Sequence, residues 1–119
     1  MANEELFEKA IALLREELSL WEHYPGSEGR IRRERTSTAI ADLSAGNISE
    51  SVLRALNESG RYYLNLCNFA RNPEQLKSCG LPQATIDDWV KKRETNGTRS
   101  TEFFILYESL LDLATSAPH

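Results

Sequence analysis

The sequence predicts an all-α protein, a single compact bundle of five or six helices. Apolar residues recur at spacings of three and four along each long segment, which is the period of a helix with one buried face. Glycine, proline and asparagine interrupt these segments near residues 25–29, 45–47 and 80–82, where turns are expected. Hydrophobic residues make up 40% of the 119 residues and charged residues 27%, which is the composition of an ordinary globular protein. We therefore expect one domain over residues 1–119.

The first helix is predicted over residues 3–23, with Asn3 as its N-cap and with Glu4 and Glu5 at the positive end of the helix dipole. Its apolar residues form one stripe at helical spacing and a second stripe of leucines beside it. The first stripe comprises Phe7, Ala10, Ile11, Leu14, Leu18 and Trp21, and the second comprises Leu6, Leu13 and Leu20. So wide an apolar face must be largely covered, either inside the core or against a second copy of the chain.

A turn over residues 25–29 is followed by an arginine-rich stretch that we place in a loop. A second helix is then expected to begin near Thr36–Thr38 and to end before Gly46, which suits a left-handed C-terminal position. The arginines of the loop are Arg30, Arg32, Arg33 and Arg35. Because arginine binds phosphate and carboxylate groups bidentately, this loop is a candidate anion-binding segment. The other interpretation is an ordinary solvated surface.

The third helix is predicted from a Ser49 N-cap to about Ala70. Gly60 falls on the apolar face of this helix. It therefore marks either the close approach of another helix or the end of one helix and the start of the next.

The last helix is predicted over about Ser100–Thr115, followed by a frayed tail at residues 116–119. Two stretches, residues 62–69 and 102–107, also have strand propensity, and as a paired hairpin they would make an α+β fold. Because helical spacing continues through both stretches into their flanks, the all-α fold is preferred.

The chain has no motif of a known catalytic or metal site. It lacks a glycine-rich phosphate loop, a paired-histidine motif and a nucleophile elbow. Cys67, Cys79, His23 and His119 are too scattered in sequence for a zinc site. We interpret the two cysteines as small buried apolar residues, with a disulfide between them as the alternative. We predict a non-enzymatic protein that needs no cofactor.

The termini and the charge distribution bear on location and partners. The N-terminal residues Met-Ala-Asn-Glu-Glu lack the basic start and apolar block of a signal peptide, and no apolar run approaches the roughly 20 residues that span a bilayer. These observations predict a cytoplasmic protein that does not bind membranes. The net charge is −4, with acidic ends at 1–22 and 100–119 and a mildly basic middle. A local basic face is therefore allowed but not required.

The segment 72–93 is the most specific feature of the chain. Asn72 can cap a short helix that has Pro73 at its first position and Gln75 three residues after the cap. Gly80 supplies a turn residue that tolerates positive φ before a second helix. The inward apolar residues of the two helices are Leu76, Ile86 and Trp89.

The string Leu76–Trp89, with Gly80-Leu81 at the turn and Thr85-Ile86 three residues before Trp89, resembles the helix-turn-helix of bacterial and phage DNA-binding proteins. The unit 72–93 covers about a fifth of the chain. The resemblance implies that the outward face of the second helix meets DNA bases. That face comprises Gln83, Ala84, Asp87, Asp88 and Lys91. Glutamine suits adenine in the major groove, and an aspartate can accept a hydrogen bond from cytosine.

Basic residues near this segment are expected to supply phosphate contacts, because lysine and arginine neutralise the DNA backbone. They come from the arginine loop and from the residues that follow the second helix. The predicted nucleic-acid-binding residues are Arg30, Arg32, Arg33, Arg35, Gln83, Asp87, Lys91, Lys92 and Arg93.

The sequence thus favours a small DNA-binding regulator or accessory protein, acting as a homodimer on double-stranded DNA. The alternative is a non-enzymatic helical protein-interaction module, such as an adaptor, an inhibitor or a complex subunit. Asp87 and Asp88 favour the alternative, since two acids on the outward face repel phosphates. A protein partner is then expected in place of DNA.

Overall fold

A computed structural model of the chain describes residues 2–116. It is 85% helical, and the described residues contain six helices and no strand. The helices are α1 (Ala2–Trp21), α2 (Gly26–Ser44), α3 (Glu50–Phe69), α4 (Pro73–Ser78), α5 (Gln83–Lys91) and α6 (Arg93–Ser116). The predicted all-α class is confirmed. The alternative hairpin is wrong, because both of its stretches lie inside helices. Of the predicted frayed tail, Ser116 is helical and the rest lies outside the described residues.

The chain divides into two compact units. The first unit comprises Met1–Asn57 and Ile105–His119, and the second unit comprises Glu58–Phe104. Helices α1 and α2 belong to the first unit and α4 and α5 to the second, while α3 and α6 contribute residues to each. The prediction of one domain over the whole chain stays a prediction.

The core of the first unit is built on an antiparallel pair of helices. α1 packs on α2 across a connection of only four residues, 22–25. Glu4 and Glu5 lie in the first turn of α1 as predicted, but Asn3 lies inside the helix and is not its N-cap. The buried apolar residues of this unit are Ala10, Leu13, Leu14, Trp21, Ala39, Leu43, Val52, Ala55, Leu56, Leu106 and Leu110.

α2 begins at Gly26, about ten residues before the predicted start, so the prediction of an arginine loop is wrong. Pro25 is the N-cap in an extended conformation, and Gly26 reverses the chain at φ +84°. Gly29 is buried, and a Cβ there would lie 2.2 Å from the Tyr24 carbonyl oxygen. Two glycines that resembled loop residues therefore serve a close helix–helix connection. All four arginines of the predicted loop are helical.

The boundary between α2 and α3 agrees with the sequence. α2 ends at Ser44, and Gly46 has the predicted left-handed backbone at φ +78°. At the start of α3 the Val52 amide donates to the Ser49 hydroxyl oxygen at 3.3 Å, which confirms the predicted cap.

Gly60 does not interrupt α3, so the alternative of a helix end there is wrong. It is buried, and a Cβ there would lie 2.9 Å from Cε1 of Phe104 on α6. The Ser100 hydroxyl donates to the Gly60 carbonyl at 2.8 Å. The predicted close approach of another helix is therefore confirmed.

α6 begins at Arg93, about seven residues before the predicted start. Two small polar residues of this stretch, Asn96 and Ser100, are only 8% and 3% exposed. A Cβ at Gly97 would lie 3.4 Å from the Cys67 sulfur, in ordinary contact. These residues pack a helix start closely against α3.

Candidate nucleic-acid interface

The segment 72–93 folds as two short helices around a glycine turn, as predicted. Helix α4 packs on α5, and Gly80 between them has φ +89°. Leu76 is 9% exposed and Ile86 is 1% exposed, so both are buried as expected, whereas Trp89, the third predicted inward residue, is only half-buried. The Asn72 side-chain oxygen accepts from the Gln75 amide at 3.3 Å, which confirms the predicted cap. The two short helices and the glycine turn that the sequence predicts over 72–93 are thus present.

The predicted outward face of α5 is solvent-exposed along its whole length. Its residues are Gln83, Ala84, Asp87, Asp88 and Lys91. The Gln83 amide nitrogen donates to a carboxylate oxygen of Asp87 at 2.9 Å, and the Lys92 ammonium lies 3.1 Å from a carboxylate oxygen of Asp88. Each acid on this face therefore has a partner on the same helix or at its C-cap.

The contact with Asp87 restricts how Gln83 can be used. A glutamine amide nitrogen carries two hydrogens, of which Asp87 takes one. The second hydrogen and the amide oxygen stay available for a bidentate contact with an adenine edge. Asp87 is therefore placed to orient the Gln83 side chain.

Three consecutive basic residues lie at the end of the outward face of α5. Lys91 ends α5, Lys92 is its C-cap, and Arg93 is the first residue of α6. All three side chains are exposed. Because only Lys92 separates the two helices, the run lies where α5 gives way to α6. The three residues are thus brought together by the chain itself.

The arginines of α2 have intramolecular roles that the sequence did not show. Nη1 of Arg33 donates to the Trp21 carbonyl at 2.9 Å and to the Tyr24 carbonyl at 3.1 Å. Arg33 therefore caps the C-terminal end of α1. The Arg32 guanidinium lies 5.1 Å from the centre of the Trp21 ring. Arg35 also interacts within the protein, while Arg30 is exposed. Arg32 and Arg33 thus stabilise the connection between α1 and α2.

Apolar and aromatic side chains flank the outward face of α5. Phe69, at the end of α3, is 50% exposed and stacks on Trp89 with ring centres 5.9 Å apart and planes 25° apart. Val90 is 41% exposed. The second unit therefore presents an aromatic pair and a valine beside a mixed-charge helix face.

Arg71 is a candidate that the sequence reading missed. It is exposed, it lies two residues after the end of α3, and it lines the same surface groove as Arg93. Its place beside the Asn72 cap was visible in the sequence. Its closeness to Arg93 depends on the packing of α3 with α6, which no local pattern reveals.

Other chemistry finds little support in the described part of the chain. Residues 2–116 contain no group of three or more His, Cys, Asp or Glu side chains placed to hold a metal ion. Both cysteines are free thiols, with Cys67 half-buried and Cys79 exposed, so the expectation of two buried cysteines is wrong for Cys79. Over the same residues, no helix has both the length and the apolarity to cross a bilayer.

Comparison of the chain with models of protein families, with curated proteins and with solved structures found no match.

Proposed function

We propose that this protein is a small DNA-binding regulator or accessory protein that uses α4 and α5 as a helix-turn-helix. The observation that carries the proposal is the outward face of α5. Buried Ile86 fixes the helix, while Gln83, Asp87 and Lys91 project into solvent along it. This is the arrangement that places a helix in the major groove of DNA.

On this interface, base contact and phosphate contact belong to different residues. Gln83, oriented by Asp87, faces an adenine edge. Lys91 and Arg93 are placed to contact phosphates where α5 ends, while Lys92 has to leave its 3.1 Å pair with Asp88 to do so. Arg30 of α2 stays a candidate for the same task, but Arg32 and Arg33 are better explained as structural residues.

Titration with a mixed-sequence duplex at two salt concentrations tests the proposal. Affinity should fall steeply with salt, because each neutralised phosphate contributes about −0.9 to the log–log slope. The double variant K91E/K92E should abolish binding. The matched control is K9E/R15E, which makes the same charge change at exposed positions of α1. Loss of binding in both variants to the same degree would mean that only total charge matters.

The two acids of α5 provide a separate test. Replacing Asp87 and Asp88 by asparagine should strengthen non-specific DNA binding, because two charges that repel phosphates are removed. It should also weaken any preference for a particular sequence, since Gln83 loses the carboxylate that orients it. A competition assay with several duplexes measures both effects.

The second candidate function is a helical protein-interaction module, and the stacked Phe69–Trp89 pair favours it. Phe69 is exposed and Trp89 is half-buried, and tryptophan is enriched among the residues that dominate the binding energy of protein interfaces. This function predicts no DNA affinity tighter than about 10⁻⁴ M at physiological salt. It predicts a protein partner whose affinity falls when Asp87 and Asp88 are neutralised. A DNA-null result together with such a partner would decide for this function.

We also propose that the protein is a homodimer. In the first unit Leu20 is 59% exposed and Ile31 is 44% exposed, and exposed apolar side chains of this size are candidates for an interface. A two-fold dimer would present two α5 helices to two half-sites. Sedimentation equilibrium should show a dimer that L20E weakens, and a monomer at tens of micromolar would contradict the proposal.

A further inference from the structure

The second unit contains an open groove between the end of α3 and the start of α6. Its lining includes Arg71, Arg93, Glu94 and Thr98, together with Cys67 and Gly97. The first four are exposed, while the cysteine and the glycine are half-buried and so lie deeper. Small half-buried residues therefore line its deeper part, and two arginines are among the exposed residues that border it.

These two arginines differ from most others in the chain. The Arg54 side chain pairs with Glu50 at 2.8 Å, and the Arg99 guanidinium lies over the Tyr63 ring at 5.2 Å. By contrast, the side chains of Arg71 and Arg93 form no hydrogen bond or ion pair within residues 2–116. Two uncommitted cations thus border one groove, and Glu94 is the acid among the residues that line it.

The neighbouring hydroxyl groups complete a set of donors. Thr101 donates its hydroxyl hydrogen to the Gly97 carbonyl at 3.0 Å, so it offers only lone pairs to the groove. Thr98 is exposed and lies on the same helix one residue after Gly97. Arginine binds both carboxylate and phosphate groups bidentately, but the oxygens of a phosphate form a tetrahedral set and can accept from donors on several sides. Arg71, Arg93 and Thr98 offer donors from three separate residues, which favours a phosphate.

We infer that this groove binds a phosphate group, held by Arg71 and Arg93 with Thr98 as an added donor. The inference rests on the proposed function in its DNA form, where the phosphate belongs to the backbone beside the site of α5. Arg93 directly follows Lys91 and Lys92 in sequence, so the groove continues the row of basic residues beyond the end of α5. A free phosphate ion has the same chemistry, and the experiments below separate the two sources.

The first experiment measures the salt dependence of duplex binding for R71Q, T98V and a matched control, R61Q. Arg61 is an exposed arginine of α3 in the same unit that does not line the groove. We expect R71Q to reduce the log–log salt slope by about 0.9 without changing the sequence preference. T98V should weaken binding to a smaller degree, and R61Q should behave as wild type. Equal losses for R71Q and R61Q would overturn the inference while leaving the proposed function intact.

The second experiment titrates inorganic phosphate into the protein at constant ionic strength and follows backbone amide signals by NMR. Saturable shifts at Gly97 and Thr98 that vanish in R71Q/R93Q support the site. E94Q should bind phosphate more tightly, because it removes the acid that borders the groove. Shifts that are absent, or that persist unchanged in R71Q/R93Q, would overturn the inference.

The combination of both experiments distinguishes the failure of the site from the failure of the proposed function. Phosphate shifts at Gly97 and Thr98 without duplex binding would keep the site and assign it to a free phosphate or phosphomonoester, while the DNA proposal falls. Duplex binding with a wild-type salt slope in R71Q would keep the DNA proposal and remove the groove. A circular dichroism spectrum of each variant confirms that the helices are retained.

Discussion

Replacing Gly29 by alanine tests the origin of the early start of α2. In a helix interior this substitution ordinarily stabilises by about 1 kcal/mol, because alanine has the higher helix propensity. Here the added Cβ would lie 2.2 Å from the Tyr24 carbonyl oxygen and 2.9 Å from its carbon. These are backbone atoms, which cannot rotate away as a side chain can. The backbone at residue 29 and the Tyr24 carbonyl therefore have to move apart by about 1 Å before the added Cβ reaches an ordinary van der Waals distance.

The expected magnitude follows from the competing terms. Overpacking of this kind costs about 1–3 kcal/mol, and backbone obstruction belongs at the upper end. Moving the Tyr24 carbonyl also disturbs its hydrogen bond from Arg33, whose Nη1 lies 3.1 Å away. After subtracting the gain in propensity, we expect a loss of about 2 kcal/mol in the free energy of unfolding. At about 4 °C per kcal/mol, the melting temperature should fall by about 8 °C.

Urea denaturation followed by far-ultraviolet circular dichroism measures this loss, and G97A is the matched control. A Cβ at Gly97 meets only the Cys67 sulfur at 3.4 Å, so this variant should gain about 0.5–1 kcal/mol. G60A should fall between them, because its Cβ meets the half-buried Phe104 ring at 2.9 Å and that ring can shift. A G29A protein as stable as wild type would refute the close contact between α2 and the end of α1.

Three further outcomes follow from single contacts. Asn72→Ala should lower stability by about 1 kcal/mol in urea denaturation, because the amide of the third residue after it loses its cap. Ser100→Ala should cost about 1 kcal/mol in the same assay, since the Gly60 carbonyl loses a buried 2.8 Å hydrogen bond. A thiol reagent should modify exposed Cys79 faster than half-buried Cys67, as mass spectrometry of the labelled protein would show. Equal rates would contradict the difference in exposure.

Local signals carried most of the predictable structure. The hydroxyl of Ser49, the glycine at 46 and the Asn72-Pro73 pair each act within a few residues of their own position, and each marks the boundary that it predicts. The helical spacing of apolar residues likewise identified α1 and α3, because each has one face that must be buried.

The two misplaced helix starts have a common cause. At the starts of α2 and α6, glycine and small polar residues occur in the helix, although their composition is typical of loops. Gly29 is small because a carbonyl lies against it, and Asn96 and Ser100 are buried in the second unit. A small residue can mark either a turn or a close contact between helices. Which of the two applies depends on the atoms that pack against it in the fold, and these cannot be read from the local sequence.

In the candidate site, the sequence likewise does not show which charged side chains are available to a ligand. Six consecutive residues with four arginines read as a surface for anions, yet Arg33 caps α1 and Arg32 covers the Trp21 ring. Conversely, Arg71 was overlooked because it stands alone in sequence. A guanidinium is available to a ligand only when the protein does not already use it, so availability has to be read from contacts and not from clustering.

The contacts of Asp87 and Asp88 on α5 also decide how these two acids affect binding. Asp88 pairs with Lys92, whereas Asp87 accepts a hydrogen bond from the neutral amide of Gln83 and so keeps its negative charge. A surface ion pair such as Asp88–Lys92 contributes about 0–1 kcal/mol, so the face stays unattractive to phosphates. If α5 enters a DNA groove as proposed, affinity must therefore come from basic side chains beside this face. Arg93 and Arg71 meet that requirement because they border a groove and have no competing partner among residues 2–116.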